Sequence, residues 1–524
     1  MATVKAKQIT TPAIESVPQV SGAEIASAYS AYLADESRLT GTADRIFFPH
    51  DTAQVAAVVK WANGKNIPLT ISGARTGITG GAVPHGGAIL SCEKLTSLGP
   101  VRDENGRYLL KAAAGVTIKQ IADALHHRTV SGLPETPLFY PVDPTETTAE
   151  LGGTIACNAS GARTFRYGPT RNHVHAVTVV LADGEVLNIR RGDAAFDARG
   201  EITVSASRPI TLKLPEMPKV AVRKNVAGFY AKPGMDLVDV FIGSEGILGV
   251  ITEAELVLMP EPAGRVAALL FTADEAAAVE LVKSLRGEKG GFALKPEAIE
   301  FFDRRSLDLL HRKRQEDGPG SEIPEFPYPS GSAIFTEFPY SNDAEIDGIL
   351  EGLLGLIETA GIPEDKTWVG TSPEETARMK AFRHALPETV NSIVGRRKKD
   401  IPDIHKVGTD LAVPDGALDA FLAAHYRIFD GFEFLVFGHI GDNHLHANVL
   451  PRNDDELTRA KAAYKELVKE ALALHGTVAA EHGIGKLKAG YLKMMLTPTA
   501  LAEMKRVKDS LDPKGILSPG NVFG

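Results

Sequence analysis

Cysteine is nearly missing from this chain: Cys92 and Cys157 are the only two among 524 residues, and they lie far apart. That excludes a disulfide framework, a zinc ribbon and an iron–sulfur cluster. Basic excess is missing too. The formal net charge is −9, so the electrostatic footprint of a nucleic-acid-binding protein is absent. No apolar run approaches the roughly 18–20 residues needed to span a bilayer. The first twenty residues are polar, carry Pro12 and Pro18, and lack a signal-peptide core. A soluble cytoplasmic enzyme is the expectation, and the length allows two or three domains with sizeable cores.

Glycine, by contrast, is plentiful: there are 50, and they cluster. The first cluster is Ser72-Gly73-Ala74-Arg75-Thr76-Gly77-Ile78-Thr79-Gly80-Gly81, straight after a strand expected over Ile67–Ile71. A glycine-rich loop after a buried strand lets backbone N–H groups converge on an anion. Its spacing is not the Rossmann fingerprint, and no Gly-Lys-Ser/Thr follows, so a P-loop is excluded. The second cluster is Gly152-Gly153-Thr154-Ile155-Ala156-Cys157-Asn158-Ala159-Ser160-Gly161, preceded by Pro141-Val142-Asp143-Pro144 and followed by Arg166-Tyr167-Gly168. The third is Gly243-Ser244-Glu245-Gly246, running through Leu248-Gly249 to Ile251. Small residues let a backbone lie close to a large flat ligand. Three such loops within about 180 residues suggest one long cofactor threaded between them.

The pattern around them is mixed α+β. Residues 1–20 read as a loose tail and Ala23–Ala34 as a short helix. Asp51 is placed to cap a helix over Thr52–Asn63, with Gly64 as its stop. His175–Leu181 and Glu185–Ile189 read as a hairpin around Ala182-Asp183-Gly184. Gly192–Val222 reads as an irregular insertion or lid, and Glu261–Gly264 as a domain junction. Strand–helix alternation resumes after it, with strands over Val266–Phe271, Ala298–Phe301 and Ser332–Phe338, the rhythm of a split βαβ, ferredoxin-like layer.

The sharpest chemistry lies in Phe437-Gly438-His439-Ile440-Gly441-Asp442-Asn443-His444-Leu445-His446-Ala447-Asn448 and in Glu481-His482 further on. If Asp442-Asn443 is a two-residue hairpin turn, Ile440 pairs with Leu445 and His439 faces His446. Opposed residues on one sheet face have Cβ atoms roughly 4.5–5.5 Å apart, which suits two imidazoles closing on one divalent metal. The same parity puts His444 and Asn448 on that face. Glu481 can supply an oxygen ligand and His482 can stay free as a base. Mixed His/carboxylate sets with an open position are those of catalytic zinc, manganese or iron. Surface histidines near a turn are the plain alternative.

Together these motifs resemble the FAD-linked 2-hydroxy-acid dehydrogenases of the vanillyl-alcohol-oxidase, PCMH-type flavoprotein superfamily, which includes cytochrome- or quinone-linked D-lactate dehydrogenases, the glycolate oxidase catalytic subunit and D-2-hydroxyglutarate dehydrogenase. The resemblance runs from about Arg45 to Asn521. It implies an α+β fold: an N-terminal tail and short helix (1–40), a PCMH-type FAD domain of two α+β subdomains (41–262), an antiparallel-sheet, ferredoxin-like cap (263–470), and a C-terminal segment (471–524) packing back on the FAD domain.

By that resemblance the Ser72–Gly81 loop holds the pyrophosphate, and Pro141, Asp143, Gly152–Gly161, Tyr167, Glu245, Gly246, Ile251 and Asn521 line FAD. His439, His446 and Glu481 bind the metal, and His482 is the base. Arg383, in Lys380-Ala381-Phe382-Arg383-His384, resembles the arginine that grips the substrate carboxylate. Lys406 precedes Val407-Gly408-Thr409-Asp410-Leu411-Ala412-Val413-Pro414, which resembles the family's Lys-x-Ser-Glu-Asp-x-x-x-Pro run. Asn448 is a candidate hydrogen-bond donor to substrate, with a core polar role as the equal alternative. The implied reaction oxidises a D-2-hydroxy acid, D-lactate first, with D-2-hydroxyglutarate and glycolate as alternatives. Hydride passes to flavin N5 and electrons to quinone, cytochrome or an electron-transferring flavoprotein, not to NAD. A location peripheral to the inner membrane and a homodimer are compatible with the family, and the basic run Arg396–Lys399 reads as a solvated loop or a partner contact.

The chain departs from the family pattern in places. Arg75 stands where relatives have Gly or Asn, and Ser518 where Asn is common. His444 replaces the usual Asn, as an extra ligand or a hydrogen-bonding group. No histidine stands in the pyrophosphate loop, so non-covalent FAD is expected. Two other classes fit parts of the pattern: a non-redox FAD transferase of the alkyl-dihydroxyacetone-phosphate synthase kind, and an inactive subunit of a complex.

Overall fold

The computed structural model describes residues 4–524. The chain forms three larger sheets and one small hairpin. The first sheet runs Gln19–Ser21, Arg45–Phe47, Ala88–Ser91, Leu69–Ser72, with its last three strands parallel. Helix Thr52–Lys65 is the crossover; Asp51 caps it by accepting from the Gln54 N–H, as the sequence predicts. It ends two residues later than expected, at left-handed Asn66 and not at Gly64. Asn tolerates that conformation, and the helix's apolar positions continue to Ala62, so nothing forces an earlier stop.

The second sheet is antiparallel, in order Ala6–Lys7, Val186–Arg190, Val174–Val180, Val250–Pro260, Arg107–Ala113, Leu98–Glu104. Ala6–Lys7 is its edge strand, so the stretch read as a loose tail is tied into the fold at these residues; the first three residues of that stretch lie outside the described residues. Short strands with no apolar alternation give no sequence signal, because backbone pairing alone holds them. The stretch read as an irregular lid contains a hairpin, Glu201–Val204 with Ile210–Lys213, before the chain becomes irregular.

The third sheet carries the chemistry. Its first four strands lie in the order Thr367–Gly370, Gly264–Thr272, Ser332–Tyr340, Ala298–Asp303. Numbered along the chain this is 4-1-3-2, the ferredoxin-like split βαβ that the alternation implied. The free edge of Ala298–Asp303 is extended by the hairpin Phe434–Gly438 and His444–Val449, then by Val407–Gly408. Pairing this edge with more strands, rather than leaving it open, also removes an aggregation-prone edge. Among the described residues no helix is long and apolar enough to cross a membrane.

Candidate active site

The hairpin turn is longer than two residues. Ile440–Asp442 forms a 3-10 turn and Asn443 takes a left-handed conformation, with φ of 53°. Phe437 therefore pairs with His446, and the expected pairing of His439 with His446 does not occur. The register is displaced by two residues. Because side chains alternate with a period of two, an even displacement keeps every side chain on its face. His439, His444 and His446 thus still converge, and Glu481 joins them. One ligand atom from each lies within 4.8 Å of the others.

Each histidine is turned the same way, one nitrogen outward to an acceptor and the other inward to Glu481. His439 Nδ1 is 2.6 Å from Glu300 Oε1, and its Nε2 is 3.3 Å from Glu481 Oε1. His446 Nδ1 is 2.9 Å from the Thr409 carbonyl, and its Nε2 is 3.4 Å from Glu481 Oε1. His444 Nε2 is 3.0 Å from Asp410 Oδ1, and its Nδ1 is 3.8 Å from Glu481 Oε2. The His444 contact with Asp410 has an ion-pair distance without hydrogen-bond alignment, so both ring nitrogens of this fully buried residue lack a hydrogen-bond partner.

The other oxygen of Glu481 is held from behind. Ser160 Oγ donates to Oε2 at 3.0 Å and Lys224 Nζ at 3.1 Å. Lys224 also donates to the Gly161 carbonyl at 2.8 Å and lies 3.4 Å from Asp442 Oδ2. Burial pulls Lys224 towards neutrality, but Glu481 and Asp442 outweigh it and raise its pKa. Burial raises Glu481 in turn, and Lys224 and His439 outweigh that and hold it well below the usual carboxylate range. His439 is likewise pulled down by burial and carried up to about 9 by Glu300, which itself falls to about 2 despite burial.

Asp410 positions the loop that carries Glu481 and His482. Its buried carboxylate accepts the backbone N–H groups of Ala480, Glu481 and His482 at 3.2, 3.0 and 3.1 Å, and the Lys488 ammonium. His482 Nδ1 is 3.5 Å from Asp410 and its Nε2 3.8 Å from Glu481. Its ring stacks near His446, with centroids 5.5 Å apart. Burial lowers its pKa to about 4, against the pull of Asp410 and Glu481, so at pH 7 it is a neutral imidazole.

Arg383 lies on helix Pro373–Arg397 and donates from Nε to Glu300 Oε2 at 3.2 Å, which brings it to the cluster through the same carboxylate that orients His439. Pro387, inside that helix, has no N–H for the Arg383 carbonyl four residues back. Lys406 is not joined to the cluster; its Nζ donates to Asn391 Oδ1 at 3.0 Å, on the Arg383 helix. Asn448 is buried in the strand of His444 and His446, facing the same way.

The glycine-rich segments meet beside this cluster. The Gly243 and Glu245 N–H groups donate to Ile155 and Ala156 carbonyls at 2.9 and 2.8 Å. Asn521 Nδ2 donates to the Gly81 and Glu245 carbonyls at 3.0 and 3.1 Å, so the C-terminal segment ties the first and third clusters together. The Glu245 carboxylate accepts the Ile484 and Gly485 N–H groups at 2.8 and 2.6 Å. A Cβ on Gly161 would lie 2.0 Å from the Asp143 carbonyl, which shows how closely the Pro141–Pro144 and Gly152–Gly161 segments pack. Ser72, Thr79 and Asn158 are buried at this junction, while Gly77 and Gly153 have open space where a Cβ would stand. Arg75, with φ of 62°, stacks its guanidinium over Tyr32, 4.1 Å from the ring centroid. Tyr167 packs edge-on against Phe139. Ser160, read from sequence as a flavin residue, sends its hydroxyl to Glu481.

Sequence reasoning gave no role to Glu300, Lys224 or Asp410. Glu300 had a signal: it is a carboxylate inside the apolar run Ala298-Ile299-Glu300-Phe301-Phe302, and a buried charge needs a partner. Lys224 had none, since it follows a segment without periodicity.

A buried His/carboxylate cluster thus lies beside converging glycine-rich segments in a mixed α+β fold. Residues 43–190 match the family described as "FAD binding domain", and residues 261–522 match "FAD linked oxidases, C-terminal domain". The chain belongs to the FAD-linked oxidase family of PCMH-type flavoproteins. It is 30% identical to a D-lactate dehydrogenase of Archaeoglobus fulgidus, over 90% of each chain. It is 29% identical to a D-2-hydroxyglutarate dehydrogenase of Xanthomonas citri, over 91% of this chain and 89% of that one. It is 28% identical to the glycolate oxidase subunit GlcD of Bacillus subtilis, over 92% and 89%. A solved alkyldihydroxyacetonephosphate synthase superposes with a TM-score of 0.63 at 14% identity, covering 99% of this chain and 88% of that one; this likeness shows the fold alone.

Proposed function

We propose that this protein oxidises a D-2-hydroxy acid, D-lactate first, to the 2-oxo acid, using non-covalent FAD and a divalent metal and passing electrons to an acceptor other than NAD. The observation that carries the reading is the convergence of His439, His446, Glu481 and the neutral His482 beside the glycine-rich segments. The names of the relatives support the substrate class.

The donor set fits a metal of the zinc, manganese or iron kind: each imidazole has its outer nitrogen facing an acceptor and its inner nitrogen facing Glu481. A metal held there would lower the pKa of the substrate hydroxyl. Bound FAD would take up the hydride of the Cα–H bond. The remaining work falls to the chain. His482 is uncharged at pH 7 and takes the hydroxyl proton as general base. Asp410 accepts the His482 backbone N–H and sits beside Nδ1, fixing where the ring stands. Arg383 has Nε engaged by Glu300 and Nη1 3.5 Å from His384 Nε2, which leaves Nη2 to meet the substrate carboxylate. Asn448, on the histidine strand, would add a contact to the acid, whereas Lys406 is engaged by Asn391 of the Arg383 helix.

The test is anaerobic bleaching of the bound flavin near 450 nm with a panel of D- and L-2-hydroxy acids, before and after chelation. Bleaching by a D-acid that chelation abolishes is expected. Metal-replete protein whose flavin no hydroxy acid bleaches would defeat the reading and return the transferase and inactive-subunit classes.

A further inference from the structure

We propose that His444 is a fourth protein ligand, so that the site is a three-nitrogen, one-oxygen centre made by His439, His444, His446 and Glu481. The inference rests on the metal reading above and concerns which residues hold the ion.

The first ground is the state of His444. It is fully buried; Nδ1 has no hydrogen-bond partner, and Nε2 has the Asp410 carboxylate at 3.0 Å, out of hydrogen-bond alignment. A neutral imidazole carries one donor and one acceptor. Leaving a buried polar group unmade costs about 1–3 kcal/mol; Asp410 stands behind Nε2, so it is Nδ1 that needs a cause. Glu481 Oε2, 3.8 Å from Nδ1, is too far to be that partner. A hydrogen-bonding role alone, the other reading of this position, therefore leaves Nδ1 unsatisfied.

The second ground is orientation, and it is independent of the first. The three imidazoles share one plan: an outer acceptor on one nitrogen and Glu481 facing the other. The outer acceptors are Glu300, Thr409 and Asp410. Metal-bound histidines show this arrangement, because the outer acceptor fixes the tautomer and aims the lone pair. A histidine that only filled the core would not need a carboxylate behind it. The separations also suit a shared ion. Ligand atoms about 2.0–2.2 Å from a tetrahedral ion stand about 3.3 Å from one another. His439 Nε2 and His446 Nε2 stand 3.3 and 3.4 Å from Glu481 Oε1; His444 Nδ1 faces the other oxygen, Oε2, at 3.8 Å, and one ligand atom from each of the four residues lies within 4.8 Å of the others.

Three nitrogens shift preference from magnesium, calcium and manganese towards the later first-row ions, zinc and cobalt among them. The chain would then differ from relatives with Asn at this position in which ion it retains.

The test uses the FAD-loaded protein, stripped with a chelator and reloaded with one equivalent of zinc. X-ray absorption counts the imidazoles around the ion, and competition with a chromophoric chelator gives its affinity. Three imidazoles are expected in the native protein and two in His444→Asn, with zinc held at least about 10-fold more weakly by the variant. Two imidazoles in the native protein would overturn the proposal while leaving the three-residue site intact. An unchanged zinc affinity in a flavin-replete His444→Asn would do the same. Native protein that takes up no stoichiometric zinc would overturn it together with the metal reading. The native imidazole count stands whether or not the variant folds.

Discussion

Lys224 is the buried group whose removal the geometry predicts most sharply. Its ammonium is enclosed by Glu481, Asp442 and the Gly161 carbonyl, with 1% of its side chain exposed. Lys224→Met keeps the length and removes the charge. Burial pushes the Asp442 carboxyl up more than Lys224 pulls it down. Glu481 is held well below the usual carboxylate range first by Lys224 and then by His439 and His444, and only the two histidines remain to keep it ionised in the variant. The variant therefore leaves a buried anion short of its nearest cation. Breaking such a pair from one side costs about 3–5 kcal/mol. Unfolding entropy of about 2.1 cal/mol/K per residue gives about 1.1 kcal/mol/K over the 524 residues. The melting temperature of chelated, flavin-loaded protein should then fall by about 3–5 °C. Calorimetry at one scan rate measures it. A double-mutant cycle with Glu481→Gln separates charge from packing: the Lys224→Met cost should shrink by at least about 1 kcal/mol once Glu481 is neutral. A fall below about 1 °C, or an equal fall in both backgrounds, would refute the electrostatic account.

Gly161→Ala drives a Cβ to 2.0 Å from the Asp143 carbonyl, so the two flavin segments must part; FAD content after gel filtration should drop, and full retention would show the loops to be compliant. Asp239 is raised by burial but held below its ordinary pKa by Arg191 and Arg171, so its contribution is present above about pH 4 and is lost as pH falls through the depressed folded value. Asp239→Asn should accordingly lie about 3–5 kcal/mol below the native protein at pH 7, with the gap closing towards about pH 3; a gap independent of pH would contradict the ion pair. Glu245→Gln retains one acceptor for two N–H groups, so flavin content and zinc affinity should fall together, though the altered side chain touches none of the histidines; loss of flavin alone would uncouple the two sites.

Much of the site was legible because its residues are local in sequence. His439, His444 and His446 share one hairpin, and face assignment survives a register error of two. An error of one residue would have sent His446 to the opposite face. The ferredoxin-like order followed from strand–helix alternation, which needs no long-range information. What stayed hidden is carried by single residues from distant segments. Glu300, Lys224 and Asp410 come from three separate stretches, and each acts through one side chain. Periodicity reports elements, not which lone charge on one element meets a lone charge on another. The edge strand Ala6–Lys7 was hidden for a related reason: two residues are too few to show a period.

The loop Ala480–Gly485 explains why the two halves must act as one. It contributes five backbone N–H groups, from Ala480, Glu481, His482, Ile484 and Gly485, and two buried carboxylates accept all five. Asp410 lies between the strands Val407–Gly408 and Leu411–Ala412, which pair with the histidine strand, and Glu245 lies in the third glycine segment. Glu245 itself is held in a left-handed conformation, φ of 51°, which a non-glycine residue adopts at a cost and which persists only when its surroundings impose it. Gly483, with φ of 78°, lies between the two clamps, and a Cβ there would stand 3.2 Å from the Glu245 carboxylate. Glu481 and His482 are thus set by Asp410 of the third sheet on one side and by Glu245 of the third glycine segment on the other. Neither half alone fixes where the proposed metal ligand and the proposed base stand relative to the flavin segments. That dependence accounts for the burial of the two carboxylates: its cost is offset by the five amides they hold, and what they secure is the position of Glu481 and His482.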